Sequence, residues 1–298
     1  MTTASTAGDA TAVVAGEPLV LFAAEGALPV EVAAAATAAG RKLLVISLEG
    51  TADERLLVYP HAIVKWGQIG HVEQLVRAHG RDVVIIGTVT KRPDFANLGM
   101  DFGTLRYLPR ILKNMVGGDD TILGNFVKML EEMGFRVIGA HEVAPNLVAT
   151  AGHMAGPRPS AAALADAALA MDAARAIGTL DIGQAAGAVG GRVVALEAAE
   201  GTDAMIERVG GLHGNGRVKW SGRSGVLAKR AKPQQDLRID MPAIGPRTVE
   251  AVARAGLGGI VIESGRVIIA ERAETVALAE RTGTFITAVD GRTEAGPL

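Results

Sequence analysis

The sequence predicts an α/β protein of two domains, a parallel sheet covered by helices on both faces followed by a second α/β domain on a mixed sheet. Three observations carry this. Short apolar runs alternate with helical stretches through the first half, the pattern of strand–helix–strand units. Near the middle, a stretch containing Pro145, Pro157 and Pro159 has few periodic apolar residues and breaks that pattern. The chain of 298 residues also exceeds one average domain of roughly 100–200 residues.

The elements follow in order. Residues 1–17 lack a basic start and a continuous apolar run, so they read as a disordered leader and not a secretory signal. LVLFAA at 19–24 is a buried strand, 29–40 an alanine-rich helix, and 42–48 and 62–66 are strands. A helix at 69–79, a strand at 82–89, helices near 103–116 and 119–133 and a strand at 136–143 complete a first domain spanning 18–147. Residues 148–160 read as a linker, and Ser160 as the cap of the helix that opens the second domain, 161–298. There Gly190–Gly191 sits between two apolar stretches as a hairpin turn. A helix at 203–209, a strand at 225–230, a helix at 247–255, a hairpin-like pair around Ser264–Gly265, a helix at 273–282 and a strand at 284–289 follow.

Composition narrows the function. A net charge of −2 gives the chain as a whole no electrostatic reason to seek nucleic acid. The absence of cysteine removes disulfides, thiolate nucleophiles and cysteine metal sites, and fits a reducing compartment such as the cytoplasm. No uninterrupted stretch of about 20 apolar residues occurs. Walker-type and G-x-G-x-x-G loops, zinc-hydrolase histidine spacing and the G-x-S-x-G elbow are absent too.

Several clusters remain as candidate sites. In an extended chain Asp236, Arg238 and Asp240 would share one face at about 7 Å intervals, with Leu237, Ile239 and Met241 on the other. That is either a half-exposed strand with a surface ion pair or a site, and Pro242 favours the site by leaving Asp240 beside a loop. Glu200-Gly201-Thr202-Asp203 follows a strand and opens a helix, with Thr202 suited to cap it. Two acids bracketing a phosphate-friendly turn point to a divalent cation, although Asp203 on its own also suits the helix dipole. Gln184, beside Asp181, offers donor and acceptor groups to a sugar or nucleotide, or simply completes a turn. Lys91 and Arg92 follow a strand, where they would meet a diphosphate or form a solvated basic loop. The helix near 103–116 sets Arg106, Arg110 and Lys113 against an apolar face, as a surface helix or as a contact for anionic lipid.

Taken together and in this order, Asp181-Ile182-Gly183-Gln184, Glu200-Gly201-Thr202-Asp203-Ala204-Met205, Lys232-Pro233-x-Gln235 and Arg238-Ile239-Asp240-Met241-Pro242 resemble the bacterial UDP-2,3-diacylglucosamine pyrophosphatases, a family formerly known as a domain of unknown function. Leu28-Pro29, Arg92-Pro93-Asp94-Phe95, Ala255-Gly256-Leu257 and Glu263-x-Gly265 fit as well, so the resemblance runs from about residue 18 to 290. It implies a Rossmann-type amino-terminal domain and hydrolysis of the substrate diphosphate to UMP and 2,3-diacylglucosamine 1-phosphate for lipid A. It also implies a homodimer, help from Mg²⁺ or a similar ion such as Mn²⁺, and a catalytic aspartate at Asp240. On this reading Asp240, with Glu200, Asp203 or Asp236, holds the metal, while Lys232 and Arg238 stabilise developing charge. Gly26, Leu28, Lys91, Arg92, Gln184, Thr202 and Gln235 bind substrate. The apolar substrate implies transient contact with the inner face of the cytoplasmic membrane. A nucleotide-sugar transferase and a non-catalytic UDP-sugar sensor are the rival readings.

Overall fold

The computed structural model describes residues 16–87, 99–104, 106–107 and 119–291. The first sheet consists of β1 (Leu19–Ala23), β2 (Leu43–Leu48), β3 (His61–Val64), β4 (Asp82–Ile86) and β5 (Arg136–Val137). These run parallel in the order β3-β2-β1-β4-β5. Helices α1 (Ala27–Ala38), α2 (Ile69–His79) and α3 (Asp119–Glu132) connect them.

Strand alternation explains how a sheet can be covered on both faces. Leu19, Leu21 and Ala23 of β1 turn toward Val32, Ala33 and Ala36 of α1. Val20 and Phe22 turn the other way, toward Val76 of α2 and Val127 and Leu130 of α3. Full burial of each such Val or Leu side chain stabilises the fold by about 1.5–3 kcal/mol.

β5 is shorter than the strand expected over 136–143. The Glu142 carboxylate accepts a hydrogen bond from Gly139 N (2.7 Å), which starts a helical turn, α4 (Ala140–Val143), in place of more strand. Lys91 and Arg92, residues 1–15 and most of the helix expected near 103–116 lie outside the described residues.

The second sheet is six-stranded and mixed, in the order β6-β13-β11-β9-β7-β8. Its strands are β6 (Gly152–Ala155), β7 (Ala185–Val189), β8 (Arg192–Leu196), β9 (Val226–Lys229), β11 (Gly259–Glu263) and β13 (Phe285–Val289), of which β9, β11 and β13 are parallel. Ser160 caps α5 (Ala161–Thr179) by accepting from Ala163 N (3.2 Å). The small side chains of Ala167 and Ala170 let α5 pack closely on Val226, Ala228 and Val261. On the opposite face, Leu227, Ile260, Ile262 and Ile286 join a core with Met205 and Ile206 of α6 (Gly201–Gly214) and Val249 and Val252 of α7 (Pro246–Arg254). The β7–β8 hairpin turns at Gly190 and Gly191, both with positive φ (60° and 74°), as a two-residue turn of matching twist requires.

Two other expectations change. The stretch 148–160 carries β6, which pairs antiparallel with β13. Ser264–Gly265 does not close a hairpin. Gly265 N bonds to Ala149 O and Ala149 N to Val267 O, so the chain leaves the sheet and β12 (Ile268–Ile269) pairs parallel with β10 (Ala243–Ile244). That two-stranded piece lies between the domains, with Ile268 buried among amino-terminal core residues such as Ala140 and Val143. The helix α8 (Arg272–Thr282) completes the domain. Among the described residues no helix is long and apolar enough to cross a membrane.

Candidate active site

The first sheet reverses its connection order between β1 and β4, so a crevice opens beyond their carboxyl ends. Ala24 N donates to Ile86 O (3.1 Å), and Gly87, at φ 110°, lies so near Ala24 that a Cβ there would come within 2.8 Å of its backbone. Only glycine keeps the floor of the crevice this tight. A cleft of about 190 Å³ stands on it, lined by Leu28, Ile86, Gly87 and Ala140 from the first domain and by Arg238, Asp240, Met241 and Ile268 from the second.

The carboxyl edge of the second sheet supplies the charge. Lys229 ends β9, an inner strand paired on both sides, opposite Ala185 and Ile262. Its side chain is buried and donates to Thr202 Oγ1 (3.1 Å). Thr202 Oγ1 in turn donates to Glu197 Oε1 (2.6 Å), whose other oxygen accepts from Gln184 N (2.8 Å). Burial pushes the Lys229 ammonium below the usual lysine range, and the charges of Glu197, Asp203 and Asp240 act against that shift. Next to it, buried Arg230 pairs with Glu263 (3.1 Å), which also accepts from Ala231 N, fixing the root of the loop that follows.

That loop, 231–242, is not the strand its alternation suggested. The Asp236 carboxylate accepts from Arg238 N (3.1 Å), and Ile239 N and Asp240 N both bond to Asp236 O (3.2 and 3.0 Å), so the chain coils into a turn. Asp236 and Asp240 therefore lie one turn apart, each with its own partner, and not along the face of a strand. Asp236 is held by Arg238 Nη2 (2.7 Å), which keeps its carboxyl below the usual range. Asp240 accepts from Gln235 Nε2 (2.5 Å), Gln235 Oε1 accepts from Lys232 N (3.0 Å), and Gln235 also approaches Gln184 (3.5 Å).

These geometries can be compared with known proteins. A family profile described as the LpxI N-terminal domain matches residues 18–147, and one described as the LpxI C-terminal domain matches 150–287. The chain belongs to the LpxI family. The protein named UDP-2,3-diacylglucosamine pyrophosphatase LpxI of Caulobacter vibrioides (strain ATCC 19089 / CIP 103742 / CB 15) is 43% identical over 270 residues, which cover 91% of this chain and 96% of that relative.

In this LpxI-family protein the residues singled out from the sequence fall into three groups. Asp240, Gln235, Gln184 and Thr202 belong to one polar network at the carboxyl edge of the second sheet, and Leu28 lines the cleft facing it. Gly26, at φ 127°, precedes α1, and its carbonyl accepts from Arg55 (3.2 Å). Lys232 stands near the network but bonds to Asp181 (2.7 Å).

The remaining acids have arginine partners of their own. Glu200 pairs with Arg208 (2.6 Å), Asp203 with Arg247 (2.8 Å) and Asp236 with Arg238, so the four-carboxylate set of Asp240, Glu200, Asp203 and Asp236 does not assemble. Among the described residues no three His, Asp or Glu side chains converge as metal ligands. Thr202 is not the cap of its helix, because Glu200 holds that position and the Thr202 hydroxyl is committed to Glu197. Lys229 and Glu197 escaped the sequence reading. Their only signal is a charge at the end of an otherwise apolar run, GVLAK in one case and VVALE in the other.

Proposed function

We propose that this protein hydrolyses the diphosphate of UDP-2,3-diacylglucosamine, releasing UMP and 2,3-diacylglucosamine 1-phosphate, in the cleft between its two domains. The observation that carries the reading is a cleft with a nucleotide-type floor on one side and Asp240 on the other, in a chain 43% identical to a UDP-2,3-diacylglucosamine pyrophosphatase. The strand order β3-β2-β1-β4-β5 supports a Rossmann-like first domain, in which the uridine nucleotide lies over the β1–β4 switch point near Gly26 and Leu28.

The chemistry follows from the second domain's groups. Lys229 sits in low dielectric, where, when protonated, its attraction for charge developing on phosphate is stronger than in water. Gln235 turns Asp240 toward the cleft, and Gln184 steadies Gln235. Mg²⁺ usually takes one or two protein carboxylates, with substrate phosphates and water filling its other positions, and a single carboxylate at Asp240 fits that donor set. Bound there, such an ion supplies charge neutralisation at the diphosphate. Arg238 acts differently from the sequence reading, as a positioning residue tied to Asp236 and Glu131. The diacylated substrate places the work at the inner membrane surface, and the family resemblance supports a homodimer.

The test is to incubate purified protein with UDP-2,3-diacylglucosamine and Mg²⁺, with and without chelator, and to follow UMP and the lipid phosphate. Formation of both with water as sole acceptor is the expected outcome. Transfer of the sugar to an added acceptor would favour a transferase, and ligand binding without turnover a sensor.

A further inference from the structure

Glu197 follows β8 and is buried, with 6% of its surface exposed. Its backbone stays on the sheet, since Glu197 N donates to Ala185 O of β7 (3.0 Å). Residue 183 passes so close that a Cβ there would collide with the Glu197 carbonyl. Glycine permits that approach, and it brings Gln184 N within 2.8 Å of Glu197 Oε2. Both carboxylate oxygens are then acceptors, Oε2 from this amide and Oε1 from Thr202 Oγ1 (2.6 Å), the bonding pattern of an ionised carboxylate.

The Thr202 hydroxyl has a single hydrogen and gives it to Glu197, so it turns a lone pair to Lys229 Nζ (3.1 Å). A hydrogen bond accepted from an ammonium favours the charged form. Three acids act on Lys229 by charge: Glu197 most strongly, then Asp203 at the start of α6, then Asp240 in the loop 231–242. Asp203 shares its charge with Arg247, and Asp240 is bonded to the neutral amide of Gln235. The sheet neighbours of Lys229, Ala185 and Ile262, are apolar. Burial works against all three acids and pushes the ammonium below the usual lysine range. Among the described residues Lys229 uses one of its three N–H donors, on Thr202, which leaves the others for the oxygens of a diphosphate.

From this we infer that Glu197 is a positioning residue for the hydrolysis: through the Thr202 hydroxyl it keeps Lys229 in the ammonium form and holds it for the substrate diphosphate. The inference rests on the hydrolytic reading above and names the group that maintains the charge used there. The competing role for Glu197 is purely structural, a tie between the start of β7 and α6.

The test makes two measurements on the full chain. Lysine side chains, isotope-labelled at the ε-carbon, are titrated by NMR from about pH 6 to 10, and Lys229→Met identifies the Lys229 signal by its loss. UMP release from UDP-2,3-diacylglucosamine is followed over the same range. In the wild type the alkaline fall in kcat/KM should coincide with the Lys229 titration. Glu197→Gln should move both toward acid by about one pH unit or more, because the buried ammonium loses its foremost counter-charge. On the alkaline side of both midpoints this variant should be slower than the wild type by about tenfold or more, and below them the difference should close. A structural role would lower the rate equally at every pH. That result, an unmoved Lys229 titration, or a wild-type alkaline limb that does not track Lys229 would overturn the inference. Should Glu197→Gln not fold, Thr202→Val breaks the same relay with the carboxylate in place. It is expected to shift the Lys229 titration toward acid, and no such shift would overturn the inference equally. The NMR titration needs no turnover, so a wild type that releases no UMP would remove the enzymatic reading while the relay is still tested.

Discussion

Arg238 reaches out of the loop that carries Asp240 and places its Nη1 2.6 Å from Glu131 Oε1 of α3, in the other domain, while its Nε and Nη2 hold Asp236. One guanidinium thus fixes the turn before Asp240 and anchors it to the first domain. The hydrogen bond to Asp236, and then the one to Glu131, keep Arg238 above the usual arginine range, so it is charged at every working pH. Both partners are more than a third exposed, so the clasp adds little to stability.

The clasp predicts a kinetic effect larger than its structural one. Glu131→Gln should lower kcat/KM by roughly 3–10-fold while changing unfolding free energy by less than about 1 kcal/mol. Steady-state kinetics alongside urea unfolding measure both. Unchanged kcat/KM would mean that the link to α3 does not set Asp240.

Asp240 itself should be needed for turnover and not for affinity. Asp240→Ala is predicted to reduce kcat by at least about 10²–10³-fold, the magnitude of a group acting chiefly in the transition state, with substrate Kd nearly unchanged. Calorimetric titration with substrate paired with UMP release distinguishes the two effects. Wild-type-like hydrolysis would remove Asp240 from the mechanism.

Much of this arrangement is legible in the sequence, and the parts that are not have physical reasons. Buried parallel strands need continuous apolar runs, so LVLFA and DVVII announce themselves, and Gly190–Gly191 and Ser160 mark their hairpin and cap because few residues serve there. The turn at 236–240 misleads because its polar alternation arises from a local bond, Asp236 to Arg238 N, which mimics the period of a strand. The metal-binding set misleads for the opposite reason. Asp203 is neutralised by Arg247, 44 residues away, and no local pattern reports so distant a partner. Lys229 is silent because burial, which makes it unusual, is a property of the assembled sheet.

That buried lysine should matter more to rate than to folding. Lys229→Met keeps most of the volume while removing the charge, so kcat is predicted to fall by about 10²–10³-fold. Stability should change by no more than about 2 kcal/mol, since the variant also removes the cost of burying an ammonium. Thermal unfolding together with kcat decides between roles. A large loss of stability with normal kcat would make Lys229 a structural residue.

The last prediction concerns pH and the far edge of the first sheet. Asp82 opens β4 and bonds both Arg41 (2.5 Å) and Arg136 (2.7 Å), and the Arg41 side chain is only 1% exposed. Burial raises the Asp82 pKa, but the hydrogen bonds and charges of Arg136 and Arg41 together outweigh it, and the carboxyl lies below its usual range. A folded-state pKa below the unfolded value of about 3.9 means that the unfolded chain takes up the proton first. The contribution is therefore complete above about pH 4–5 and disappears as pH falls through the lower folded value. Asp82→Asn leaves Arg41 buried without its anion and should cost about 3–5 kcal/mol at neutral pH. Urea unfolding of both proteins between neutral pH and pH 3 should show the gap narrowing only toward the acid end. A gap that is constant across that range would show that folding does not lower the Asp82 pKa, and so that the two arginines do not hold it as described above.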